Sequence, residues 1–163
     1  LAVSGTLAAL LQGMEDSVLA SGIRASSWLY PFLEIVHILG VVLLVGAAFL
    51  FDLRLLGISK NLPVPDLARH LLPWSRRGLY LIIPSGVLLF STNAVALAAD
   101  PVFHVKLNML VIGGLNAGFF HQFLAPAASA WRHGNTPRTA KTVAVCSIVV
   151  WVTVIACGRL LAY

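Results

Sequence analysis

Apolar residues run along this chain in four long stretches divided by short polar intervals. The stretches extend from about Trp28 to Phe51, Gly78 to Ala99, Phe103 to Leu124 and Thr142 to Tyr163. A membrane-crossing helix needs roughly 20 mostly apolar residues, because the hydrocarbon core is about 30 Å thick and the helix rises 1.5 Å per residue. All four stretches meet that length. They are bounded by Asp52 and Arg54, by Asp100-Pro101, and by Pro126 with His133-Gly134-Asn135, residues that favour turns or water. Before the first stretch, Leu7, Leu10, Leu11, Met14 and Val18 follow helical spacing, with Thr6 placed to cap and Gly22 to stop. That pattern predicts an amphipathic helix lying in the membrane interface. The expected fold class is therefore all-α: an integral membrane four-helix bundle over residues 28–163, preceded by an N-terminal interfacial amphipathic helix and lead-in over residues 1–27.

Prolines modify this reading at two places. Pro84, followed by Ser85 and Gly86, lies inside the second stretch, where it removes a backbone hydrogen bond. Pro73-Trp74 reads as a helix start at headgroup level.

Composition narrows the class. Of the 163 residues, 59% are apolar and only 10% charged, against about 25% charged in soluble domains. Disordered, disulfide-built and nucleic-acid-binding chains are excluded by the same figures. Cys146 and Cys157 fall on one predicted helix, about 16 Å apart along its axis at 1.5 Å per residue, so they cannot bond to each other and read as apolar fillers. The formal net charge of +5 is a matter of orientation. Arg54, Lys60, Arg69, Arg76 and Arg77, together with Arg132, Arg138 and Lys141, share one side of the bundle. Arg24, Lys106 and Arg159 belong to the other. Basic loops remain cytoplasmic, so both termini are expected on the periplasmic side of a bacterial inner membrane, with the lipid bilayer as partner and no nucleic acid.

Ionisable groups inside a membrane cost about 2.5–3.5 kcal/mol on insertion scales and need a partner or a purpose. Glu34 and His37 are three residues apart on one helix face, and Lys106 lies at similar depth on a helix that runs the same way. A Glu34–Lys106 ion pair would account for both charges. With Asn108, these residues form a candidate polar core. The histidines sort by side: His37 and His104 enter from the outer end, His121 and His70 lie toward the inner end, and His133 is in a loop. Two outer and two inner imidazoles are what a two-haem membrane cytochrome requires. His37, His104, His121 and His70 are accordingly the candidate ligands of haem b iron. Gly40, Gly114, Ala117 and Gly118 would let a macrocycle approach; alternatively, Gly114 and Gly118 form a small-residue packing face. A di-iron carboxylate site lacks its second Glu-x-x-His unit, and a copper permease lacks methionines, with only Met14 and Met109 present. No catalytic residues are indicated.

Trp28, Pro31, Glu34-Ile-Val-His37, Gly46, Asp52-Leu-Arg-Leu-Leu-Gly57, Leu72-Pro73-Trp74, Phe103-x-x-Lys106, Asn116 and Gly158-Arg159-Leu-Leu-Ala-Tyr163 are specific as a set. With these residues the chain resembles a bacterial inner-membrane family of unknown function. The resemblance implies four spans and a bacterial origin and names no substrate. Two functions are expected. One is a small b-type cytochrome-like electron carrier, working with a quinol or a redox protein. The other is a non-redox accessory or transport subunit of a larger membrane complex, with Glu34, His37 and Lys106 as its polar core.

Overall fold

The computed structural model describes residues 5–59, 61–131 and 136–162, all of them helical or in connecting turns, with no strand among them. The helices are α1 (Gly5–Glu15), α2 (Val18–Ala25), α3 (Leu29–Leu56), α4 (Val64–Ser91), α5 (Ala94–Ala99), α6 (Pro101–Phe119) and α7 (Arg138–Leu160). A π turn over Phe120–Leu124 and a 3-10 turn over Ala125–Ala130 continue α6. The fold is all-α, as the sequence predicts. Lys60, Arg132, His133, Gly134, Asn135 and Tyr163, used above for orientation, loop or motif, lie outside the described residues.

Local chemistry accounts for the helix ends. Gly57 closes α3 in the left-handed region at φ 108°, its N–H donating to the Arg54 carbonyl while Ile58 N–H reaches Leu53, the paired bonds of a Schellman end. Asp100 starts α6, its carboxylate accepting from Val102 N–H at 2.7 Å with Pro101 in the first turn.

Three boundaries differ from expectation. Residues 5–27 do not hold one helix: Ser17 breaks the segment and caps α2 by accepting from Ala20 N–H at 3.2 Å, and Gly22 lies within α2 rather than ending it. Pro73 is not a helix start, since α4 begins nine residues earlier and runs through it. The third difference is at the far end of α4. The apolar stretch 78–99 is not one helix, because the hydroxyls of Ser91 and Thr92 donate to the Leu88 and Leu89 carbonyls, both at 2.7 Å, and α4 stops there. Such back-bonds compete with helix continuation.

The N-terminal helices fasten this corner. Arg24 donates to the Thr92 carbonyl at 3.1 Å and to the Glu15 carbonyl at 2.7 Å, while the Glu15 carboxylate accepts from Val95 N–H at 3.1 Å. Two backbone groups orphaned by the α4–α5 break are thereby satisfied. Leu11, Ala20 and Ile23 are buried, whereas Leu7, Leu10, Met14 and Val18 remain exposed. Of the apolar positions read from the sequence, Leu11 thus points into the protein and the other four point away from it.

Around the bundle the order is α4, α3, α7, α6, each packed on the next. Between α3 and α4 the backbones come into contact through Gly40 and Gly78. A Cβ on Gly78 would lie 2.7 Å from both the Gly40 carbonyl oxygen and the Leu44 nitrogen. Phe90 stacks on Phe103, with ring centroids 5.3 Å apart, and joins α4 to α6. At the end that carries Arg76, Arg77 and Arg138, here the basic end, the core gathers Phe51, Leu55, Val64, Phe120, Ala128 and Ala144. Among the described residues, three helices are long and apolar enough to cross a membrane: Leu29–Leu56, Pro101–Ala128 and Arg138–Leu160. Their most apolar segments bury only 17%, 6% and 28% of their residues inside the protein. Side chains such as Phe32, Ile35, Ile38, Leu39 and Val42 face outward instead. A contiguous apolar exterior of this extent points to a lipid environment.

Candidate functional site

The backbone contact between α3 and α4 places His37. The two helices run antiparallel in step, so that Leu44 meets Gly78, Gly40 meets Ile82 and His37 meets Ser85 and Gly86. His37 Nδ1 lies 3.0 Å from Ser85 Oγ. The Ser85 hydroxyl also donates to the Leu81 carbonyl at 2.5 Å, and the His37 ring meets the Ile82 backbone. Gly86 makes room for the ring, since a Cβ there would lie 3.1 Å from His37 Cε1.

Lys106 enters the same end of the bundle from α6. It lies on the helix face that carries Met109, Gly113, Asn116 and Phe120 inward, and its Nζ lies 3.6 Å from where a Cβ on Gly158 of α7 would stand. Lys106 is close enough to His37 for its charge to act on the imidazole. Glu34 is exposed and forms no ion pair with Lys106, so the pairing expected from the sequence is not made. The Asp66–Arg69 pair is formed instead, on the exposed first turns of α4.

The remaining candidates lie elsewhere. His104 is exposed, its Nδ1–H donating to the Asp100 carbonyl of its own helix at 2.8 Å. It is two residues from Lys106, about 200° around the axis at 3.6 residues per turn, and so on the face turned away from the bundle. Asn108 is exposed on that outer face and donates to the His104 carbonyl at 2.9 Å. It is not part of an inward polar core. His121 is exposed in the π turn, and His70 is exposed on α4 near Asp66 and Arg69. Neither His37 with His104 nor His121 with His70 is brought together as a pair. Among the described residues no three His, Cys, Asp or Glu side chains converge as a metal site.

Three features of this region are not evident in the sequence pattern. Ser85 orients His37, and Gly78 and Gly86 provide the space; no periodicity marks any of them. Gly114 and Gly118 behave in the opposite way: a Cβ at either would meet nothing within 4 Å, while Gly113, immediately before Gly114, packs on Val150 and Trp151. At the basic end Asp52 and Arg54 are both buried but do not pair with each other. Arg54 Nε donates forward to the Leu62 carbonyl at 2.6 Å and ties down the α3–α4 turn, and Asp52 faces the Ser147 hydroxyl of α7. Asn116 donates to the Val143 carbonyl at 3.1 Å, linking α6 to α7.

No curated protein and no solved structure matches the chain. Residues 14–163 match a family described as of unknown function, and over that length, which contains α2 to α7 and the whole His37–Lys106 region, the chain belongs to this family, DUF6644.

Proposed function

We propose that this is a four-span protein of the bacterial inner membrane, with both termini on the periplasmic side, that serves as a non-redox accessory or transport subunit. Its working element is a polar core of His37 and Lys106 with Glu34 on the rim. The observation that carries this reading is the inward placement of two basic side chains at one end of the bundle without an ion-pairing acid among the described residues. In a membrane such groups are kept for the passage or holding of a proton or solute.

The fourth span in this reading is α4. At 28 residues it is about 42 Å long at 1.5 Å per residue, enough to cross, but Asp66, Arg69, Arg76 and Arg77 make its first half polar. Single cysteines at Asn61 and Ala98, in protein with Cys146 and Cys157 replaced by alanine, are expected to label from opposite sides of intact cells. Labelling of both from one side would exclude α4 as a span.

A b-type cytochrome is the second reading, and one observation favours it. Nδ1 of His37 is held 3.0 Å from Ser85 Oγ, as one ring nitrogen of a metal-bound imidazole is held by a neighbouring group. The histidines present do not fit a haem held by two imidazoles, however, because His104 and His121 face outward. Protein purified from cells well supplied with haem is therefore expected to show no reducible visible band and no haem by mass. A band that disappears in His37→Ala would overturn the non-redox reading.

A further inference from the structure

Among the described residues Asp52 is the one buried acid. It is 5% exposed, lies near the basic end of α3 and faces the Ser147 hydroxyl of α7. Its Oδ2 is buried and meets no hydrogen-bond donor among the described residues. Arg54, two residues on, lies about 200° round the helix and is engaged at the Leu62 carbonyl. The charged and titratable groups on the elements around this end turn outward: Asp66, Arg69, His70, Arg76 and Arg77 of α4, Arg138 and Lys141 of α7 and His121 of the π turn are exposed. His37, Lys106 and Arg24 belong to the opposite end of the bundle. An ionised carboxylate at Asp52 would therefore be bare on one oxygen, and burying a charge without a partner is costly. Neutralisation has to come from something that the carboxyl binds.

We propose that the Asp52 carboxyl is a proton-binding site between α3 and α7, and that binding of the proton favours the closed contact of these two helices. The site is separate from the polar core: His37 is 15 residues back on α3, about 22 Å along the axis at 1.5 Å per residue. A proton suits the group because one orphaned oxygen is enough to hold it, and the O–H so formed can turn to Ser147 Oγ, which accepts as well as donates. A metal cation does not suit it. Hard cations take about six or more oxygens, whereas this site offers the Asp52 carboxyl and the Ser147 hydroxyl, and among the described residues no three His, Cys, Asp or Glu side chains converge. Loss of the proton would leave a charge in the α3–α7 contact, so release of the proton and loosening of that contact are linked.

Infrared spectra and melts of the full chain in detergent test the proposal. At about pH 6, above the ordinary carboxylate range, the unaltered protein is expected to show the C=O stretch of a protonated carboxylic acid, lost as the pH is raised and absent from Asp52→Asn. The chain has six acidic residues, and subtracting the Asp52→Asn spectrum isolates this one. Between about pH 5 and about pH 9 the melting temperature of the unaltered protein is expected to fall by several degrees relative to that of Asp52→Asn, because the unfolded carboxyl gives up its proton near pH 4 while the folded one keeps it to higher pH. The imidazoles titrate in both proteins and cancel in the difference. Ser147→Ala removes a donor that favours the ionised form, so its band is expected to persist to a pH about one unit higher, a tenfold tighter hold on the proton. The proposal is overturned if no such band separates the unaltered protein from Asp52→Asn, or if the two melt with the same pH dependence. It is also overturned if sodium chloride, against choline chloride at equal concentration, raises the melting temperature of the unaltered protein and not that of Asp52→Asn, since the carboxylate then holds a metal cation. If Asp52→Asn does not fold, the band of the unaltered protein decides: its movement in Ser147→Ala supports the site, and its absence or immobility removes it.

Discussion

Gly78→Ala is expected to lower the melting temperature in detergent by about 5–10 °C, which corresponds to roughly 2–3 kcal/mol for overpacking a tight contact in a chain of this size. In an open helix position the same change would stabilise by up to about 1 kcal/mol, because alanine is the better helix former. At Gly78 the new Cβ would lie 2.7 Å from two backbone atoms of α3 and 3.1 Å from Leu43 Cβ. Backbone cannot rotate aside, so the helices must separate. Because His37 is seated against Ser85 and Gly86 by the same contact, the separation should also loosen that hydrogen bond. Gly114→Ala is the control: with nothing within 4 Å of the added carbon, its melting temperature is expected to be unchanged or slightly higher. Equal losses at both positions would mean that α6 packs through its glycines and that the α3–α4 contact is not what holds this end together.

Phe120→Ala is expected to cost about 3–5 kcal/mol, the range for truncating a buried aromatic. Phe120 is buried at the basic end and meets Phe51 edge to face, with ring centroids 5.2 Å apart. This aromatic contact joins α3 to the π turn, although α6 packs its backbone on α7 and not on α3. Phe120 also borders a cavity of about 220 Å³ lined by Val64, Ala68 and Leu72 among others. Truncation would enlarge that space and remove the contact with Phe51. Phe123→Ala is the comparison, because Phe123 is exposed one turn on and lies against Phe119 on the outer surface. A loss at Phe123 as large as that at Phe120 would show that the outward side of the π turn is covered in the intact protein.

The candidate site was legible only in part. Glu34, His37 and Lys106 stand out in the sequence because charge and imidazole are rare inside apolar stretches, and two of the three do turn inward. Which imidazoles share a space was not legible. His37 and His104 are equivalent by sidedness, yet a two-residue offset from Lys106 puts His104 on the far side of α6. Asp52 and Arg54 mark the end of the first stretch in the sequence, but only the structure shows that Arg54 reaches forward to Leu62 and Asp52 turns to α7.

By itself the sequence determined the helical class, the apolar exterior and some of the helix ends, such as Gly57 and Asp100-Pro101, because length, hydropathy, proline, glycine and capping residues act over a few neighbouring positions. Tertiary structure decided which face of each helix is internal. In a soluble bundle that face is marked by hydrophobicity, but lipid and protein interior are equally apolar, so α3 and α6 carry almost no amphipathic signal. The inner face is marked instead by what can approach closely, as at Gly40 and Gly78, or by a polar group that finds its partner, as His37 finds Ser85 on a helix 48 residues further along the chain. The early end of α4 also depended on tertiary contacts. The hydroxyls of Ser91 and Thr92 turn back along the helix, but the break they make is satisfied from outside it, by Arg24 and Glu15 of the N-terminal helices.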